Sequence, residues 1–223
     1  MQAAPRTSWL NLPNAITIGR IALALLLFPM ILTDSFPVRL AGFVVFLVAA
    51  FSDMVDGKLA RSRNLITDFG KLADPLADKL LLASTFIAFY WLAHGREPGT
   101  AFPWFGGTLP WWILAILFGR ELFITVFRGY AAKRGVVLAA GAAGKLKAVF
   151  QNIACGAIIF WYALWSASRL HGWDTSFWNG VWIPFHRAFA IFSLAVAVIL
   201  TVWSLGVYLR SFRTLNLSRK QAP

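Results

Sequence analysis

Six apolar stretches alternate with polar segments along the chain. They run roughly Ala15–Thr33, Arg39–Arg61, Lys71–Ala93, Pro110–Lys133, Gly144–Ser168 and Val181–Arg210, each close to the roughly 20 residues that carry a helix across a bilayer. Backbone in lipid must satisfy its own hydrogen bonds, so runs of this length predict helices and not open strands. The expected fold is an all-α integral membrane bundle of six transmembrane helices. No internal repeat or soluble segment of useful size is left over, so residues 1–223 read as a single membrane domain.

Composition supports this pattern. The chain is 59% hydrophobic and 13% charged, with a mean hydropathy of +0.66, a balance that cannot supply the polar surface of a soluble domain. Met1 to Asn14 is polar and contains proline, and the apolar run after it lacks a small-residue cleavage site. That run therefore reads as a permanent span and not a cleaved signal. The single Cys155 cannot form an intrachain disulfide and says little about compartment.

Charge sets the orientation. Alternate polar segments hold Arg6, Arg61, Arg63, Lys71, Lys133, Arg134, Lys145, Arg210, Arg213, Arg219 and Lys220, whereas the intervening ones hold Arg39, Arg96, Arg169 and Arg187 diluted by Asp34, Glu97 and Asp174. Basic residues are retained on the cytoplasmic side, so both termini are expected in the cytoplasm, with the chain in the inner (cytoplasmic) membrane. Trp91, Trp104, Trp111, Trp112, Trp173, Trp178 and Trp182 gather at the opposite face, as an interfacial aromatic belt does; a tryptophan-lined substrate site is the alternative. The net charge of +12 suits an anionic leaflet. Nucleic acid is not an expected partner, because these charges only fringe helix ends.

The acidic residues carry the chemistry. Of nine acids, Asp53, Asp56, Asp68, Asp74 and Asp78 fall in one short stretch across the second and third spans. Asp53 and Asp56 are three apart and Asp74 and Asp78 four apart, so each pair shares a helix face and the two pairs meet at one cytoplasmic junction. Converging carboxylates cannot all stay ionised without a cation. Oxygen donors without nearby His or Cys favour Mg²⁺ or Mn²⁺, and four carboxylates suffice to bridge two ions around a phosphoryl group. The plainer alternative is that the acids neutralise Lys58, Arg61, Arg63, Lys71 and Lys79. Asp68 lies outside both pairs and fits that alternative best. Gly57 and Ala60 continue the face of Asp53 and leave room for a flat group, or serve helix packing. Arg61 can grip a phosphate in bidentate fashion, and Gly70 opens the next helix at the same level.

Together these positions, Asp53-x-x-Asp56-Gly57-x-x-Ala60-Arg61, eight residues, then Gly70-x-x-x-Asp74-x-x-x-Asp78, resemble the complete signature of the CDP-alcohol phosphatidyltransferase family. The resemblance implies that family's fold and the transfer of a phosphatidyl-type group from a CDP-alcohol to an acceptor hydroxyl, releasing CMP. It further implies that Asp53, Asp56, Asp74 and Asp78 ligate metal, with Asp78 also the general base. Asp53, Gly57, Ala60, Arg61 and Gly70 would hold the CDP moiety. A homodimer is implied as well.

Other segments bear on the acceptor. Asn11-Leu-Pro-Asn14-Ala-Ile-Thr17-Ile-Gly-Arg20, Arg120-Glu121 with Arg128, and Gly144-Lys145-Leu-Lys147-Ala-Val-Phe-Gln151 are similar to the branch of the family that uses CDP-diacylglycerol and glycerol 3-phosphate. Ala148 departs from it, where threonine is more usual. An anionic acceptor needs cations near the metal site, and an intramembrane arginine is costly unless it has a ligand or partner. Arg120, Arg128, Lys147, Lys145 and Arg20 are the candidates, with Lys147 favoured over Lys145; adjacent side chains point apart on a helix, so Arg120 is not expected to pair with Glu121. Lys145 faces away from Lys147 and can serve as a leaflet anchor, and Arg20 either joins the pocket or snorkels to headgroups. Inositol phosphate, phosphatidylglycerol and serine are the alternative acceptors. A cation transporter is the alternative of another class, disfavoured because such sites lie near the midplane, often in inverted repeats.

Overall fold

The computed structural model describes residues 12–62, 68–95, 101–133, 142–173 and 175–220; the side chains of residues 13, 53–62, 68, 71, 142, 143 and 211–220 lie outside that description. Among the described residues every regular element is helical. Helix α1 spans Leu12–Leu32, α2 Phe36–Ser62, α3 Asp68–His94, α4 Trp111–Lys133, α5 Ala142–His171 and α6 Ile183–Lys220. Even the shortest, α1 with 21 residues, is about 32 Å long at 1.5 Å per residue. That matches the roughly 30 Å hydrocarbon core of a bilayer.

The helices alternate in direction. α1 lies against α2 and α3, α5 against α2 and α6, and α4 against α6. Leu27, Ile31, Phe46, Phe86, Phe89, Leu117, Ile158 and Tyr162 fill the centre, all almost fully buried. Leu25, Leu26, Val44, Val48, Phe192 and Ile199 face outward instead, as lipid-facing residues must when a bilayer covers the surface.

Among the described residues, four helices contain stretches long and apolar enough to cross a membrane: Asn14–Leu32, Leu72–His94, Gly144–His171 and Trp178–Arg210. The other two are interrupted by charge. The apolar part of α2 is the shorter Phe36–Ser52, ending where Asp53 begins the acidic stretch. α4 carries Arg120, Glu121 and Arg128 within its length. Helix ends also differ from the apolar stretches: α2 starts at Phe36, α3 already at Asp68, and α6 continues to Lys220. Hydropathy marks what lipid can bury, whereas backbone hydrogen bonding carries a helix on into polar sequence.

The end of the bundle away from the acids is tied by one buried cation. Arg39 donates from Nε to the Ile31 carbonyl at 3.1 Å, from Nη1 to Asp34 at 3.1 Å, and to Ser166 Oγ. Ser166 in turn donates to Asp34 at 3.0 Å, and Arg169 reaches the same carboxylate at 3.4 Å. The α1–α2 turn is thereby fastened to the last turns of α5. At the same face a π-helical turn, Trp178–Trp182, leads into α6, and Trp91, Trp111, Trp112 and Trp173 are exposed.

Candidate active site

The site forms where the opposite ends of α1 to α5 converge. Asp53, Asp56, Gly57, Ala60 and Arg61 belong to the last turns of α2, and their side chains lie outside the described residues. α3 brings Gly70, Asp74 and Asp78 in its first turns, with Asp68 as its first residue. Pro75 sits between Asp74 and Asp78 of α3. It removes one backbone donor from that part of the helix.

α1 holds these acids from behind. Thr17 Oγ1 donates to Asp74 Oδ1 at 2.7 Å, and Arg20 Nη1 bonds Asp78 Oδ1 at 3.0 Å. The Arg20 side chain is fully buried while that of Asp78 is 57% exposed. One oxygen of Asp78 is therefore anchored as the carboxyl group faces open space. Carboxylates held in this way lose little entropy on meeting a ligand.

The open space is a cavity of about 350 Å³. α3 contributes Asp74, Asp78 and Lys79 to its lining, α4 contributes Arg120, Glu121 and Arg128, and α5 contributes Lys147 and Gln151. Arg120 and Lys147 are both buried. Lys145 is exposed, and neither it nor Arg20 lines the cavity.

The expectation that Arg120 and Glu121 point apart is overturned. Arg120 Nη1 lies 2.9 Å from Glu121 Oε1, and Lys147 Nζ lies 2.5 Å from the same oxygen. Their Cβ atoms do diverge, but a guanidinium on a long side chain can curl around the helix. Lys147, arriving from α5, draws the carboxylate into the gap between the helices. Glu121 is thus the hub of the cationic wall, joining α4 to α5.

α6 completes that wall with residues that sequence reasoning missed. Arg120 Nε donates to Ser204 Oγ at 3.2 Å, and Arg128 Nη2 donates to the Tyr208 hydroxyl. Both guanidinium carbons lie over the Tyr208 ring, at 5.7 and 5.3 Å from its centroid. That distance range is one where the ring quadrupole attracts a cation. Lys79 Nζ donates to Thr125 Oγ1 at 2.8 Å, linking α3 to α4 across the mouth. The only signal for Ser204 and Tyr208 was their four-residue spacing, which marks a shared helix face but not what the face meets.

A second cavity of about 380 Å³ is apolar, lined by Phe43, Phe46, Leu47, Phe51, Ile153, Gly156, Phe160 and Phe189 between α2, α5 and α6. It shares Ala50 and Asn152 with the polar cavity. A charged chamber thus borders an oily groove.

A membrane-type helical bundle with a cavity lined by acids and cations, and an apolar groove beside it, fits an enzyme that handles anionic, lipid-linked groups. Residues 10–209 match the family model for CDP-alcohol phosphatidyltransferases, and the chain belongs to that family as an enzyme of its class. It is 36% identical over 161 residues to the CDP-diacylglycerol–glycerol-3-phosphate 3-phosphatidyltransferase of Bacillus subtilis, covering 67% of this chain and 76% of the relative. It is 32% identical over 208 residues to a probable phosphatidylglycerophosphate synthase of Mycobacterium tuberculosis, covering 90% and 81%. A CMP-forming cardiolipin synthase of Oryza sativa is 31% identical over 213 residues, covering 92% of this chain and 58% of the relative.

Proposed function

We propose that this enzyme transfers the phosphatidyl group of CDP-diacylglycerol to glycerol 3-phosphate, giving phosphatidylglycerophosphate and CMP. The observation that carries this choice is that Arg120, Lys147 and Arg128 line one cavity with Asp74 and Asp78. Glu121 offsets one of those three cations, and the remainder suits a phosphate dianion. Serine carries no phosphate. Phosphatidylglycerol brings a diester and two acyl chains where a small, doubly charged group fits better. Relatives named for the glycerol 3-phosphate reaction support the same reading.

The donor set is all oxygen, which fits a hard cation. Asp53, Asp56, Asp74 and Asp78 would hold two Mg²⁺ or Mn²⁺, with Thr17 orienting Asp74. Bound ions supply neutralisation of the donor's pyrophosphate. Gly57, Ala60, Arg61 and Gly70 would receive the cytidine and its phosphates. Asp78 takes the proton of the acceptor's primary hydroxyl as that oxygen attacks the phosphorus bearing the diacylglycerol. The pyrophosphate bond breaks and CMP leaves. Arg120 and Lys147 hold the acceptor's own phosphate away from the reacting centre. Acyl chains of the donor occupy the apolar groove, entering sideways from lipid through the shared rim at Ala50 and Asn152.

This reading includes six spans with both termini and the site facing the cytoplasm, in the inner membrane, and a homodimer as the working form. Lys133, Lys145 and Arg210 at the site's end and the exposed tryptophans at the other support the orientation. The test uses purified enzyme in nanodiscs with CDP-diacylglycerol, Mg²⁺ or Mn²⁺, and each acceptor in turn. CMP release with glycerol 3-phosphate, abolished by chelation and restored by either ion, is expected. Release with inositol phosphate, phosphatidylglycerol or serine but not with glycerol 3-phosphate would overturn the acceptor.

A further inference from the structure

Most polar groups lining the charged cavity already have partners. Arg120 and Lys147 meet Glu121, Arg128 meets Tyr208, Lys79 meets Thr125, and Asp74 and Asp78 are held from α1. Gln151 is different. It is 3% exposed, it lines the cavity, and its amide nitrogen Nε2 is buried with no hydrogen-bond partner among the described residues. A buried amide without a partner is costly, and folded proteins seldom keep one unless something else completes it.

Its position shows what would complete it. Gln151 stands one helical turn beyond Lys147 on the same face of α5. Lys147 is the proposed holder of the acceptor's phosphate, and Asp74 and Asp78 of α3 line the same cavity. A primary amide offers donors and an acceptor in one plane, and a hydroxyl can use both. From the observation that the unpartnered amide is buried one turn from Lys147 in the cavity that Asp74 and Asp78 also line, we infer that Gln151 reads the middle hydroxyl of a three-carbon phosphorylated acceptor. Gln151 is thus a specificity residue, rejecting alcohol phosphates that lack a hydroxyl next to the attacking one. The inference rests on glycerol 3-phosphate being the acceptor.

A competition assay separates the two claims. Enzyme in nanodiscs with CDP-diacylglycerol and Mg²⁺ receives equal glycerol 3-phosphate and 3-hydroxypropyl phosphate, which keeps the phosphate and a primary hydroxyl but lacks the middle one. The ratio of lipid products, read by mass spectrometry, does not depend on how much of the preparation is folded. The native chain is expected to favour glycerol 3-phosphate by roughly tenfold or more, the scale of one buried hydrogen bond. Gln151→Met should bring the ratio to within about threefold of unity, and Gln151→Asn, with a retracted amide, should fall between. A native ratio near one, or a native-like ratio in Gln151→Met, would overturn the inference while leaving the acceptor assignment standing. No product from glycerol 3-phosphate with the native chain would instead remove the assignment beneath it.

Discussion

Glu121 balances two buried cations from different helices, so its loss is felt twice. Glu121→Gln leaves Arg120 and Lys147 facing each other without a counter-charge. Breaking a fully buried pair costs roughly 3–5 kcal/mol, and the 22% exposure of this side chain places the expected loss below that. The variant should melt at a lower temperature and show a raised KM for the acceptor, both measurable in detergent. An unchanged KM would mean that the hub does not position the cationic wall. Asp78→Asn should reduce CMP release by about 10³-fold or more, because the amide cannot take the acceptor's proton, and should also lower the melting temperature, because buried Arg20 loses its charged partner. Tyr208→Phe keeps the ring under both guanidinium groups but removes the hydroxyl that Arg128 donates to. Its KM for the acceptor should rise by roughly three- to tenfold, one neutral partner's worth, with kcat near native. Asp74 and Asp78, which line the cavity, stood out in the chain because charge at fixed spacing inside apolar sequence is rare and expensive. Thr17, Ser204 and Tyr208 were not read as partners, since a hydroxyl in a lipid-facing or a core-facing turn looks the same until the opposing helix is known.

The helices themselves were nearly all readable, because a 30 Å slab imposes length and apolarity on anything that crosses it. What hydropathy could not convey is how α2 and α5 pass each other. Gly156 marks that crossing: a Cβ there would sit 3.3 Å from Phe46 and 3.6 Å from Phe43. Gly156→Leu must push both rings outward, which overpacks the core and narrows the apolar groove that they line. Activity with long-chain CDP-diacylglycerol should fall more than activity with a short-chain, water-dispersed analogue. An equal loss with both donors would argue that the groove does not carry acyl chains.

For the molecule as a whole, orientation is the expectation most open to direct measurement. Cys155 is buried, so a Cys155→Ala background gives a quiet starting point for single-cysteine labelling. His171→Cys, at the end of α5 near the exposed tryptophans, should react with a membrane-impermeant maleimide added outside spheroplasts. Lys133→Cys, at the end of α4 beside the site, should react only after the membrane is opened. The reverse pattern would turn the bundle over. The Arg39 anchor then acquires a mechanical meaning. Rods riveted together at one end spread most at the other, and the rivet here is on the face away from the chemistry. Any parting of α2 from α5 that admits a lipid would pivot near Asp34 and Ser166 and open widest beside Asp78. A small angular change at the rivet becomes a doorway where the headgroup must pass.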